Sequence, residues 1–404
     1  MKKFQLYPVI GIIVMLMTSP QIKGQQSSFS PEKAKEALNF VKEQYTLMMQ
    51  QLPYGKFPIS TRNDGTVNFA NSGTWMSGFY AGSCWYLYEY SGDKKFEIEA
   101  TQRTMMLEQE QYNRYQDGWI MLNCSFGNGY RLTGNKNFRE ILIQSAELQT
   151  TFYDPRVGCI RTWKPNRRWS FPVIIDNMLN LELLYWASQV TNDEKFRQIA
   201  IQHADKTMEN HFRKDFSSYH VVSYHPWTGT VEKKETRQGY SDESAWARGQ
   251  SWGLYGYVVS YRMTGMEKYL NHAKNIADFL IHHPRLPEDK VPYWDYDAPD
   301  IPDAKRDASA AAIMCSALLD LCLYINGDLQ NKYLNHAKAI LNTLSSSKYT
   351  AEKGENGNFI LKHCVGSFPD NSGVDVAYGY ADYYYIEALM RYLHLPKQIR
   401  QLSE

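Results

Sequence analysis

The sequence has little cysteine and almost no net charge, and each shortage excludes a class of protein. Its six cysteines are dispersed, without CxxC or zinc-ligand spacing, so no structural zinc is expected. The formal net charge of +1 provides no basic field, which argues against a nucleic-acid partner. No glycine-rich segment ends in the GK[ST] pattern of a phosphate loop. We therefore predict a protein without metal, cofactor or nucleic acid.

One apolar run near the N-terminus has the features of a targeting segment. Lys2 and Lys3 precede an apolar stretch from about Tyr7 to Met17, and a polar segment follows it. This run is too short to span a bilayer comfortably. The pattern predicts a cleaved signal peptide over residues 1–24 and an exported, periplasmic protein over 25–404, without stable membrane insertion. An uncleaved membrane anchor is the alternative, and the oligomeric state is left open.

Period-2 alternation is scarce, and the mature chain reads as a series of helices. An apolar helix repeatedly ends at Gly or Asn, and the next helix opens with Lys and an aromatic residue. Gly or Asn can adopt the left-handed conformation that closes a helix. The five turn residues of this pattern are Gly92, Gly134, Asn192, Gly265 and Gly327. With a first helix near Ser30 and a last near Tyr383, they predict about six helical hairpins.

Six hairpins can stack as an open solenoid or close into a ring. Solenoid repeats keep a nearly constant period, whereas the turns here are unequally spaced along the chain. Unequal connections favour a closed barrel that carries functional loops at one end. No Pro/Gly/Ser-rich linker divides the chain after the signal. We predict an all-α protein with a single (α/α)6-barrel domain.

The segment Gln238–Trp252 concentrates polar and aromatic side chains at the start of an apolar helix. Arginine and glutamine can pair with carboxylates or hydroxyls, and tryptophan offers a flat face to a sugar ring. The whole chain is 14% aromatic, with 30 Tyr and 10 Trp. That composition suits a carbohydrate-binding cleft, although packed helical cores also use aromatic residues. Trp75 and Trp163 are open to the same two interpretations.

Two aspartates are candidates for acid–base chemistry. Asp176 lies within an apolar run, where burial would raise its pKa and favour the neutral, proton-donating form. A helix cap behind Pro172 is the structural alternative. Asp117 precedes a turn-rich segment and is the second candidate, while His220 between apolar residues could equally be a satisfied core histidine. In the loop from Asp295 to Asp307 we favour solvated acids and a helix cap over a cation site.

Several short motifs occur along this chain, and their combination in this order identifies a family more specifically than any single motif does. They run from Trp75 to Tyr392 and include Trp75-Met-Ser-Gly-Phe, Ser125-Phe-Gly-Asn-Gly-Tyr, Ile175-Asp-Asn-Met-Leu-Asn-Leu, Trp246-Ala-Arg-Gly-Gln-Ser-Trp, Trp294-Asp-Tyr-Asp-Ala-Pro and Tyr380-Ala-Asp-Tyr-Tyr-Tyr. Together they resemble the unsaturated glucuronyl hydrolases of glycoside hydrolase family 88. That resemblance implies an (α/α)6 barrel, in agreement with the hairpin pattern.

The resemblance also implies a reaction and a set of site residues. Members remove the 4,5-unsaturated uronic acid that polysaccharide lyases leave at a non-reducing end, by hydrating its C4=C5 vinyl ether. Asp176 would protonate C4 and activate the water that adds at C5, and Asp117 would be the second carboxylate. The substrate-binding positions implied are Trp75, Gln116, Trp163, His220, Gln238, Trp246, Arg248 and Trp252. We further expect Arg248 to pair with the uronate carboxylate, because its guanidinium is charged and planar.

Two departures from the family pattern bear on specificity. Many relatives carry His before the second aspartate, whereas this chain has Gln116. Some relatives bind substrate sulfate through a Ser/Lys cluster near the C-terminus. The corresponding segment here keeps Ser367 but has Pro369 where a Lys would be expected. Sulfate recognition through that cluster is therefore not predicted.

Two other functions remain compatible with the sequence. An unsaturated rhamnogalacturonyl hydrolase would act on pectin fragments, and substrate profiling would separate it from a glycosaminoglycan-type enzyme. A carbohydrate-binding barrel without catalysis would bind unsaturated disaccharide and leave its ultraviolet absorbance unchanged. If Asp117 and Asp176 act as a pair, their carboxyl groups should lie within about 10 Å of each other.

Overall fold

The computed structural model describes residues 1, 29–113 and 118–400. The predicted signal peptide, apart from Met1, and the predicted site residues Gln116 and Asp117 lie outside the described residues. Within the described part, no helix combines the length and apolarity needed to cross a membrane.

Helices dominate the described chain. In order they are α1 (Pro31–Gln51), α2 (Ser77–Ser91), α3 (Lys94–Met105), α4 (Gly118–Leu122), α5 (Asn128–Thr133), α6 (Lys136–Thr150), α7 (Leu181–Thr191), α8 (Glu194–His211), α9 (Ala247–Thr264), α10 (Glu267–His282), α11 (Ala308–Leu321), α12 (Gly327–Leu344), α13 (Gly379–His394) and α14 (Lys397–Arg400). A π-helical turn, Asn123–Gly127, joins α4 to α5.

The helices form two concentric layers. The inner layer consists of α2, α4 with α5, α7, α9, α11 and α13, and the outer layer of α1, α3, α6, α8, α10 and α12. Helices α9, α11 and α13 are buried along most of their length, whereas α10 and α12 bury one face. Because α13 packs against both α11 and α2, the inner layer closes on itself. This is the predicted (α/α)6 barrel.

The predicted hairpin turns are confirmed at all five positions. Gly92, Gly134, Asn192, Gly265 and Gly327 have φ between 58° and 68°, in the left-handed region. Each turn links the end of an inner helix to the next outer helix. The first helix also begins as predicted, since the Ser30 hydroxyl accepts a hydrogen bond from the Lys33 amide at 3.3 Å. All five short turns consequently lie at one end of the barrel.

The long connections lie at the other end and contain the strands. These are β1 (Phe57–Thr61), β2 (Val67–Ala70), β3 (Tyr153–Asp154), β4 (Cys159–Ile160), β5 (Pro172–Ile174), β6 (Val221–Tyr224), β7 (Val231–Glu235), β8 (Cys364–Ser367) and β9 (Ser372–Val376). Strands β5, β6 and β7 form one antiparallel sheet, in which Val173 pairs with Val222 and Val222 with Lys234. The other strands form two-stranded hairpins.

The close packing of α2 against α4 explains why residue 78 is a glycine. A Cβ atom on Gly78 of α2 would lie 2.0 Å from the carbonyl oxygen of Met121 in α4, so any larger residue would push the two helices apart. All six cysteines are buried and free, and they pack as small apolar core residues.

The acidic loop before α11 is only partly as expected. Asp307 does cap α11, accepting from the Ser309 amide at 3.0 Å. Asp295, expected in solvent, is instead fully buried. It accepts hydrogen bonds from the Tyr240 amide at 2.9 Å and the Ser244 hydroxyl at 2.7 Å. These bonds satisfy a carboxylate that would otherwise be costly to bury.

Candidate active site

A cavity of about 370 Å³ opens at the end of the barrel that carries the long connections. It brings together six of the residues predicted from the sequence, which are Trp75, Trp163, Asp176, Gln238, Arg248 and Trp252. Residues that the sequence did not single out also line it, among them Ile120, Asn180, Arg237 and Asp370. The cavity is therefore our candidate active site.

The inner helices begin at this end of the barrel. Trp75 lies just before α2, Asp176 just before α7, and Arg248 in the first turn of α9. A helix N-terminus carries partial positive charge and unsatisfied N–H groups. Several inner helices directed this way make the cavity favourable for an anionic ligand such as a uronate.

Asp176 has a buried, unsatisfied oxygen and a raised pKa. Strand β5 leads directly into the 3₁₀ helix Ile175–Asn180, whose first turn carries this aspartate without a side-chain cap bond. One of its oxygens, Oδ2, is buried without a hydrogen-bond partner in the described structure. Burial raises the pKa of Asp176 to about 6, although the Arg248 cation and the Trp252 side chain oppose the rise. A neutral carboxylic acid is therefore available near neutral pH.

His220 lies behind Asp176 as a neutral imidazole. Its Nδ1 accepts hydrogen bonds from the backbone amides of Arg237 and Gln238, both at 3.1 Å. The hydrogen of the neutral ring is therefore on Nε2, which lies 3.7 Å from Asp176 Oδ2. Burial holds the pKa of His220 well below its usual range. The histidine thus fixes the loop that carries Gln238 and places one N–H beside the acid.

His220 and Trp246, both predicted to bind substrate, lie behind the wall of the cavity. Neither lines the cavity, and each is 3% exposed. The Trp246 ring packs against His220 with the ring centroids 4.5 Å apart and the planes tilted by 34°, and the Arg248 guanidinium lies 4.5 Å from the same indole. In this structure, therefore, the two rings support Asp176 and Arg248 from behind.

Arg248 is held by three groups from other parts of the barrel. Its guanidinium donates to the Asp307 carboxylate at 3.2 Å, to the Val365 carbonyl, and to the Gly366 carbonyl at 2.7 Å. These bonds use three of its five N–H groups. The remaining two are compatible with the predicted pairing to a uronate carboxylate.

Aromatic rings form much of the cavity wall. Trp75 stacks on Tyr380 at 5.2 Å, and Tyr380 on Tyr378 at 4.9 Å. On another side, Trp163 lies 5.2 Å from Trp169. Ring faces of this kind suit the apolar faces of pyranose sugars.

A carboxylate that sequence reasoning missed lies on the wall formed by the C-terminal loop. Asp370 pairs with Arg237 and accepts a hydrogen bond from the Ser367 hydroxyl at 2.6 Å. Gln238 donates to the Gly366 carbonyl at 3.0 Å, which joins the same two loops. The position of Arg237 beside Gln238 was a usable signal, and Asp370 directly follows the segment with Ser367 and Pro369 that was compared with the family.

Comparisons with known proteins decide the family. The profile of Glycosyl Hydrolase Family 88 matches residues 51–392. The chain belongs to this family. It is 40% identical to an unsaturated glucuronyl hydrolase of Formosa agariphila, over 90% of this chain and 93% of that protein. An unsaturated chondroitin disaccharide hydrolase of Streptococcus agalactiae is 32% identical, over 83% of this chain and 86% of its own.

A solved structure agrees with the family assignment. An unsaturated glucuronyl hydrolase specific for heparin superposes with a TM-score of 0.87 at 46% identity, covering 90% of this chain and 97% of that one. This family 88 member is thus a glycosidase with an (α/α)6 barrel. Among the described residues, no cluster of three or more His, Cys, Asp or Glu has an arrangement that could hold a metal ion.

Proposed function

We propose that this enzyme removes the 4,5-unsaturated uronic acid from the non-reducing end of lyase-generated, glycosaminoglycan-type oligosaccharides. The observation that carries the proposal is Asp176, a carboxyl group with a raised pKa in an aromatic cavity that also contains Arg248. Hydration of a vinyl ether needs a proton donor at carbon, which a neutral carboxylic acid supplies. The names of the relatives support the same substrate class.

The reaction follows from the chemistry of the unsaturated ring. Asp176 donates its proton to C4, and the positive charge that develops is shared between C5 and the ring oxygen. Water then adds at C5 and loses a proton to the Asp176 carboxylate, so that the acid is restored. The resulting hemiketal at C5 opens to a ketone, and the hemiacetal left at C1 releases the leaving sugar. The net change is the addition of one water molecule.

The Asp370 carboxylate favours substrates that carry no sulfate on the side facing the C-terminal loop. Its carboxylate lines the cavity beside Ser367, and Arg237 is its ion-pair partner. A sulfate brought against this wall would meet a like charge and compete for the same arginine. We therefore propose heparin-type or hyaluronan-type unsaturated disaccharides with an unsulfated leaving sugar as the preferred substrates.

The test is the decay of C=C absorbance with unsaturated disaccharides from heparin, hyaluronan and chondroitin, with and without sulfate. We expect decay with the wild-type enzyme and none with Asp176→Asn, which keeps the shape of the side chain but cannot donate the proton. Decay that persisted in Asp176→Asn would refute the role of this acid. Activity on pectin-derived substrates alone would refute the substrate class.

Export to the periplasm is also proposed, on the basis of the N-terminal sequence pattern. The protein would be recovered in the periplasmic fraction, with its mature N-terminus near Gln25. Recovery of full-length chain in the cytoplasm would contradict the proposal.

A further inference from the structure

A basic loop continues the cavity wall outwards beyond Trp163. The segment Arg161–Trp169 connects β4 to β5 and contains Arg161, Lys164, Arg167 and Arg168. Exposure increases along it, from the part-buried Trp163 at the cavity to the exposed residues 164–168. The loop therefore borders the mouth of the cavity on the side of Trp163.

Hydrogen bonds give this loop a defined shape. The Asn166 side-chain oxygen accepts from the amides of Arg168 at 2.8 Å and Trp169 at 3.1 Å, and the Asn166 amide donates to the Trp169 carbonyl at 3.0 Å. At its start, the Arg161 guanidinium donates to the Trp163 carbonyl at 2.7 Å. These hydrogen bonds hold the turn between Trp163 and Trp169 in one conformation.

The far end of the loop is fastened to strand β7. Arg168 lies over the Trp169 ring at 4.5 Å and donates to the Thr236 carbonyl at 3.1 Å. The Glu235 carboxylate accepts from Arg168 at 2.9 Å and from the Trp169 indole at 2.7 Å. The Glu235 carboxylate therefore already forms an ion pair with Arg168.

Arg167 is left as an uncompensated cation at the tip. No carboxylate among the described residues lies within ion-pair distance of its guanidinium. Arg167 is exposed and the loop contains no acidic residue, while the whole chain has a net charge of only +1. Positive charge is therefore concentrated beside the cavity mouth.

We infer that this loop is a subsite for a second anionic group of longer substrates, the carboxylate of the next uronate. The inference rests on the proposed function. In polymers where uronate alternates with an amino sugar, a disaccharide places only the amino sugar at the mouth. A tetrasaccharide adds a uronate further out, where it can reach Arg167.

Charge reversal at Arg167 tests the inference. We expect Arg167→Glu to lower kcat/KM about three- to fivefold at low salt for an unsaturated hyaluronan-type tetrasaccharide, and to leave the disaccharide unchanged. High salt should remove the difference. Lys136→Glu is the matched control, since Lys136 is an exposed cation that begins α6 at the opposite end of the barrel.

Equal losses for both substrates, or an equal loss in Lys136→Glu, would overturn the subsite. A loss confined to a sulfated disaccharide would also overturn it, because the anion would then be a sulfate on the adjacent sugar. Tetrasaccharide affinity measured by calorimetry in Asp176→Asn, with and without Arg167→Glu, gives a readout that does not need turnover. If wild type hydrolysed no unsaturated disaccharide but Arg167→Glu weakened tetrasaccharide binding, only the proposed reaction would fail.

Discussion

The protonation state of Asp176 should set the basic limit of activity. Burial raises its pKa to about 6, so the proton-donating form is lost as the pH rises through that value. For an enzyme that needs the neutral acid, kcat/KM should follow the protonated fraction of the free enzyme. The structure therefore predicts a decline in activity above about pH 6.

The size of the decline follows from the pKa. The protonated fraction is about one half at pH 6, about one tenth at pH 7 and about one hundredth at pH 8. The logarithm of kcat/KM should thus fall with a slope approaching −1 above pH 7. The substrate carboxylate is ionised throughout this range and does not contribute to the slope.

Initial rates of C=C absorbance loss, at substrate concentrations well below KM, would measure this profile. A second buried acid must be separated from Asp176. Asp382 accepts from the Ile360 amide at 2.8 Å and the Leu361 amide at 2.9 Å, and burial raises its pKa to about 7. We expect the decline of kcat/KM near pH 6 to remain in Asp382→Asn. A kcat/KM that stays constant between pH 6 and 8, or a decline that disappears in Asp382→Asn, would refute the reasoning.

Other residues give further predictions. His220→Phe removes the acceptor of two part-buried amides, so we expect a loss of stability of about 1–2 kcal/mol in total and a raised KM, measured by urea unfolding and Michaelis kinetics. Asp370→Asn should raise the rate on sulfated relative to unsulfated disaccharide, and an unchanged ratio would contradict its role. Arg391→Met should lower the free energy of unfolding by about 2 kcal/mol, because Glu387 and Asp320 each lose one charged partner at 3.3 Å while Asp320 keeps its ion pair with Arg262. The kcat per folded molecule should stay unchanged.

The barrel could be predicted because its signals are local. A left-handed turn residue such as Gly92 or Asn192 and a cap such as Ser30 act within a few residues of the chain. The ring closure between α13 and α2 could only be inferred from unequal spacing. The burial of Asp295 was missed because its partners Tyr240 and Ser244 lie more than 50 residues earlier.

The site residues that could be predicted are those that lie close together in the sequence. Gln238, Arg248 and Trp252 share one segment and all line the cavity. Asp370 escaped detection because its partner Arg237 is 133 residues away. The positions of His220 and Trp246 behind the cavity depend on the β5–β6–β7 sheet, whose pairing the sequence does not specify.

The separation of short turns and long connections lets stability and specificity vary independently. The turn end needs only residues that tolerate a positive φ, so selection there acts on folding. Insertions at the opposite end can lengthen a loop such as Arg161–Trp169 without moving any inner helix. New substrates could therefore be acquired by loop exchange alone, and chimaeras that swap this loop between family members should keep their melting temperatures.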